Sequence, residues 1–161
     1  MECKMKQLLD LDYTHPWVTA PKHIVEIYEE ACKHKGIALD VGTFQGHSAL
    51  ALHLAGLRVF TMDIEPKHFE NAPFATHLHC ASEKYHNDTC DLSVIVHDAQ
   101  HGQHMIPELV RYFFYVKSGG VLIVHDTNEL DLAGLIRELG YPENRTTGDD
   151  RGRTLSMFWK P

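Results

Sequence analysis

A chain of 161 residues with 43% hydrophobic and 23% charged residues has the size and balance of one globular domain, which excludes wholesale disorder and a fibrous repeat. The net charge of −7 argues against a general basic surface, and so against a nucleic-acid partner held by phosphate neutralisation. No apolar run nears the roughly 18 residues needed to cross a bilayer and residues 1–12 contain no secretory core, so a membrane partner is not expected.

Residues 1–20 form an N-terminal segment ahead of a core that occupies 21–161. Pro21 opens a helix over 21–35, with Ile24, Ile27 and Ala31 at the spacing of a buried face, and Gly36 ends it. Residues 37–41 are a continuous apolar run broken only by Asp40, the pattern of a buried parallel strand. A short apolar helix over 47–55 closes at Gly56, and the next strand, 57–62, runs into Asp63. A weaker strand covers 76–80. A fourth, 92–96, leads into His97 and Asp98. The spacing of Ile106, Leu109, Val110 and Phe113 predicts a helix over 103–116. Residues 117–120 turn the chain into strand 121–124, which leads into His125 and Asp126. A helix over 129–139 ends at Gly140, and 144–159 reads as a hairpin around 148–152. This alternation predicts a doubly wound α/β fold with a mostly parallel sheet and the polar strand ends gathered at one edge. Cys3, Cys32, Cys80 and Cys90 lack metal-site or disulfide-framework spacing and fit reduced thiols, so a cytoplasmic setting is expected.

The loop after the first strand is Asp40, Val41, Gly42, Thr43, Phe44, Gln45, Gly46, His47, Ser48. Gly42 permits a tight turn and Gly46 a close helix start. A dinucleotide fingerprint needs a glycine where Phe44 stands, so a diphosphate is disfavoured. A nucleoside site remains, with Asp63 at the next strand end able to accept from ribose hydroxyls.

Residues 40–48 resemble the first motif of class I S-adenosylmethionine-dependent methyltransferases, in the form found in small-molecule O-methyltransferases. Residues 96–101 are similar to that family's segment after the fourth strand, and 117–127 to its segment around the fifth. The resemblance implies a Rossmann-like, seven-stranded sheet whose last strand is antiparallel. It also implies S-adenosylmethionine as cofactor. Asp40, Gly42, Thr43, Phe44, Gly46 and Ser48 would form or anchor the loop beneath it. Asp63 and Ile64 would lie at the ribose and its neighbourhood, with Ala81, Ser82 and Glu83 beside the adenine; Ser and Glu are equally at home at a helix start.

Asp98 and Asp126 end neighbouring strands, His97 and His125 precede them, and His101 and His104 follow the first; the chain holds 13 histidines in all, so such clustering matters. Carboxylates and imidazoles together suit magnesium, manganese, iron or zinc. Either aspartate could equally cap the helix that follows. His77, His79 and His86 read as solvated. In the metal-dependent sugar and antibiotic O-methyltransferases that this region resembles, an Asp and an acidic pair hold a cation and a His acts as base. The resemblance therefore implies Asp98, His125 and Asp126 as metal ligands, and His101 with Asp98 as catalytic residues. His125 departs from the family's carboxylate at its position. Methyl transfer to a hydroxyl of a small molecule is the expected function. The alternatives are a cofactor-binding scaffold without catalysis, or a metal hydrolase on a similar sheet. The short substrate region raises the expectation of an open pocket or of one completed in a homodimer.

Overall fold

A computed structural model describes residues 2–89, 91–99 and 102–161. Its elements are α1 (Glu2–Leu9), α2 (Pro21–Ala31), β1 (Ile37–Val41), α3 (His47–Leu54), β2 (Arg58–Asp63), β3 (Thr76–His79), β4 (Leu92–His97), α4 (Ile106–Tyr115), β5 (Val116–His125), α5 (Leu132–Glu138), β6 (Glu143–Gly148) and β7 (Thr154–Trp159). The seven strands form one sheet in the order β3-β2-β1-β4-β5-β7-β6. The first five run parallel, and β7 pairs antiparallel with both β5 and β6. The expected doubly wound sheet with its terminal hairpin is the one observed.

The central strands read as apolar runs because both of their faces are covered. Ala38, Val94, Val96, Val121 and Ile123 pack towards α1, α2 and α3. Their strand neighbours Leu39, Val41, Ile95, Leu122 and Val124 pack towards α4 and α5. Fully burying one such side chain contributes about 1.5–3 kcal/mol, so these two layers carry most of the drive to fold.

Several boundaries differ from the sequence reading. The helix expected over 21–35 stops at Ala31, and the chain reaches Gly36 through turns. The helix expected from 103 begins as a tight turn at Gln103–Met105 and becomes α-helical at Ile106. Residues 129–131 lie outside α5, whose start is capped by Asp131 accepting from the Gly134 N–H at 3.0 Å. The turn expected at 117–120 lies inside β5. There the backbone of Gly119 and Gly120 keeps bonding to Lys160, while the register against β4 slips between Leu92 and Val94.

The N-terminal segment, for which no element was expected, contains α1. Leu8 is fully buried in the core layer of α2 and α3, with Met5, Leu11 and Tyr13 packed against it. Among the described residues no helix is long and apolar enough to cross a membrane.

Candidate functional site

The strand order reverses between β1 and β4, which lie side by side although β2 and β3 intervene in sequence. In open α/β sheets a crevice forms beyond the carboxyl ends of strands at such a point. Here it is a cleft of about 820 Å³, lined by the 42–48 loop, the ends of β2 and β3, Asp98, Asp126 and residues 16–19.

The loop is shaped by close chain contacts. Gly42 has φ +96° and Gly46 φ +73°, both in the region that favours glycine. A Cβ on Gly42 would fall against the carbonyl oxygen of Asp98 and lie 2.8 Å from its carbonyl carbon. One on Gly46 would lie 2.6 Å from the carbonyl oxygen of Asn71. Both glycines are therefore required by neighbouring backbone before any ligand is considered. Phe44, where a dinucleotide loop has glycine, takes φ +40°. Its N–H donates to Asp63 Oδ2 at 3.1 Å, and its ring packs edge-on against His15 and His68.

Asp40 lies beneath the loop, fully buried. Its Oδ2 accepts from Thr61 Oγ1 at 2.8 Å, and Thr61 in turn shares a hydrogen bond with Thr43 Oγ1. Burial pushes the carboxyl up to about 7; the hydroxyls of Ser48 and Thr61 oppose this and the charges of Asp98 and Asp63 add to it. Ser48 is close enough to exert this pull, although no hydrogen bond of good geometry reaches Oδ1. Asp40 thus supports the loop from below, and it is Gly42, Thr43, Phe44, Gly46 and Ser48 that line the cleft.

Asp63 accepts from the N–H groups of Phe44 and Glu65 and shares a hydrogen bond with His68 Nδ1 at 3.0 Å. A carboxylate has about four acceptor positions, so capacity remains for a ribose hydroxyl. Ile64 lines the cleft and is 61% exposed, an apolar side chain left without cover. Ser82 lines it too, with its carbonyl held by Arg111 and Tyr112. Glu83 is exposed and lies outside the lining.

At the other end of the cleft, Asp98, His125 and Asp126 converge, with ligand atoms all within 4.8 Å of one another. His125 Nδ1 lies 3.1 Å from Asp98 Oδ1 and 3.3 Å from Asp126 Oδ2. Burial disfavours an imidazolium here, yet the hydrogen bonds to Asp126 and Asp98 prevail and raise its pKa to about 9. Behind it, His23 Nδ1 of α2 lies 3.2 Å from His125 Nε2, and burial together with the His125 charge holds His23 below its ordinary pKa. Asp126 adopts φ +54°, a left-handed backbone that Asp tolerates better than most residues. Thr19 Oγ1 donates to Asp98 Oδ2 at 2.8 Å.

Of the remaining histidines, His97 is buried on the opposite face of the sheet, 2.9 Å from Glu108 of α4. His77, His79, His86 and His104 are exposed. His101 lies outside the described residues. The sequence reading missed residues 16–19, His68 and Arg153, which line the cleft. The available signal was the aperiodic run His15, Pro16, Trp17 ahead of Pro21, since segments without periodicity placed at a sheet edge commonly carry binding groups.

This architecture is the Rossmann-like methyltransferase fold. No protein-family model and no curated protein matches the sequence. Among solved structures, the chain is similar to the N-methyltransferase NodS of Bradyrhizobium japonicum in complex with S-adenosylhomocysteine. The TM-score is 0.68 and identity 12%, over 99% of this chain and 97% of that one. It is also similar to a precorrin-6y C5,15-methyltransferase of Geobacter metallireducens, with TM-score 0.64 and 11% identity over 94% and 95% of the two chains. A third likeness is to the 1,6-didemethyltoxoflavin N1-methyltransferase of Burkholderia thailandensis, with TM-score 0.66 and 12% identity over 87% and 78%. These likenesses establish the fold.

Proposed function

We propose that the protein transfers a methyl group from S-adenosylmethionine to a hydroxyl of a small molecule. The observation that carries this reading is the continuity of the cleft. One cavity runs from the Gly42–Gly46 loop and Asp63 to Asp98 and Asp126, so a donor at the first end faces an acceptor at the second. Asp63 takes the ribose, Ile64 and Ser82 border the adenine, and the loop carries the amino-acid portion. The acceptor oxygen attacks the methyl carbon; an O–C bond forms as the C–S bond breaks, and the sulfonium leaves as a neutral thioether. The hydroxyl proton goes to a base, the role for which the resemblance offers His101 or Asp98, of which Asp98 lines the acceptor end. Much of the rate comes from holding the two reactants in line.

The resemblance also implies a divalent cation, and the donor set fits one. Ligands about 2.1 Å from an ion and at right angles to each other stand about 3 Å apart, and the His125 Nδ1 distances to Asp98 and Asp126 are close to that. Asp98, His125 and Asp126 would hold the ion, which would lower the pKa of a coordinated hydroxyl. Calorimetric titration with S-adenosylhomocysteine tests the reading. Binding is expected, and Asp63→Ala should weaken it by about 1–3 kcal/mol, the scale of a hydrogen bond to a charged group. No binding at millimolar ligand would refute methyl transfer.

A further inference from the structure

We propose that Trp17 is the platform on which the methyl acceptor lies, and that the acceptor presents a planar ring to it. This rests on the methyl-transfer reading of the cleft and adds to it the class of acceptor.

The strap that carries Trp17 is fastened. Val18, Thr19 and Ala20 are buried, at 2%, 7% and 1% exposure, while Trp17, which lines the cleft with the first two, is 78% exposed. Arg151 donates to the carbonyls of Tyr13 at 2.9 Å and Val18 at 3.4 Å, tying the strap to the β6–β7 turn. Thr19 ties it to Asp98. The Trp17 backbone N–H donates to His15 Nδ1, and the His15 ring stands edge-on to both Trp17 and Phe44. The indole therefore stands against His15, whose ring also meets Phe44 of the cofactor loop, on a backbone that Thr19 joins to Asp98 and that does not need to order on binding.

An indole so placed gains little from folding, and its apolar faces gain most when a ligand covers them. The adjoining polar groups, Thr19, Asp98 and His125, are already engaged with one another. The indole beside them offers an acceptor a flat apolar surface, which suits an aromatic ring better than a polyhydroxylated one.

The test uses protein saturated with S-adenosylhomocysteine, titrated with 2-naphthol and with its saturated counterpart decahydro-2-naphthol, followed by calorimetry and saturation-transfer NMR. The saturated alcohol is at least as hydrophobic, so burial alone would favour it. Stacking predicts the reverse, with 2-naphthol binding at least tenfold tighter. Trp17→Ala should weaken 2-naphthol about tenfold and Trp17→Phe only a few-fold, with S-adenosylhomocysteine affinity changed less than about twofold in both. Trp17 is exposed, so both variants should fold. Equal binding of the two alcohols, no binding of either, or full affinity in Trp17→Ala would overturn the proposal while leaving methyl transfer standing. Failure of wild-type protein to bind S-adenosylhomocysteine would overturn methyl transfer, and the proposal with it.

Discussion

Two glycines with nearly the same φ separate the causes of loop rigidity. Gly42 has φ +96° and Gly56 φ +95°, but a Cβ at Gly56 meets no described atom within 4 Å, whereas one at Gly42 collides with the backbone of Asp98. Gly56→Ala should therefore cost only the left-handed strain, about 1–2 kcal/mol. Gly42→Ala adds overpacking against main chain that cannot rotate away, about 1–3 kcal/mol more. Its total, about 2–5 kcal/mol, lies below the stability of an ordinary domain, about 5–15 kcal/mol, so the variant should still fold. Urea unfolding of both variants gives the difference directly, and titration with S-adenosylhomocysteine shows whether moving Asp98 disturbs the cofactor end. Equal destabilisation in the two would refute the close approach of Gly42 to Asp98. Unequal destabilisation with unchanged binding would confine the glycine's role to the fold.

The remaining predictions concern protons and metal. Burial resists a charge on Glu30, but hydrogen bonds from His34, Lys33 and Trp159 prevail and take its pKa to about 2. Its stabilisation is thus present above the unfolded value near 4.5 and lost as pH falls from there towards 2. Glu30→Gln should lose about 1–2 kcal/mol at neutral pH, discounted because Lys33 is solvent-exposed, and show a flatter acid limb in urea midpoints. Asp40 has the opposite sign: with its folded pKa raised to about 7, stability falls as pH rises from about 4 to 7, and Asp40→Asn should remove that fall. Manganese or zinc added to the protein should bind at Asp98, His125 and Asp126 more tightly as pH rises towards 9, releasing a proton measurable by calorimetry in two buffers. Asp126→Ala should abolish that binding, and no dependence on pH would remove His125 from the ligand set.

Much of the architecture was legible because β1, β4 and the second half of β5 are covered on both faces and so read as mostly apolar runs with an acid in or just after them. Strand β1 was expected over 37–41 and is observed at Ile37–Val41. The convergence of Asp98 and Asp126 followed from the expected adjacency of β4 and β5. The two His-Asp pairs look alike in sequence yet have different fates. His97 pairs in register with Val124, so His125, one residue further on, faces the other side of the sheet. One histidine meets Glu108 of α4 and the other meets His23 of α2. Register of this kind is not readable from strand ends alone. Trp17 was hidden for a different reason: its strap has no periodicity, and Arg151 and Asp98, which fix it, act from more than 75 residues away along the chain.

Asp98 is where these separate features meet. Its carbonyl rests on the bare face of Gly42, its N–H donates to Val41, and its carboxylate joins Thr19 of the strap to His125 of β5. The first-strand loop, the N-terminal strap and the histidine cluster therefore share one residue as their common support. This explains why a glycine loop without the middle glycine still closes tightly: what Gly42 accommodates is the backbone of β4's end, and Phe44 is free to keep a side chain that turns towards His15 and His68. It also follows that Asp98→Asn, which keeps the backbone and the shape, is a gentler probe of the acceptor end than Asp98→Ala. Asparagine retains an oxygen for Thr19 while removing the charge that helps raise the His125 pKa.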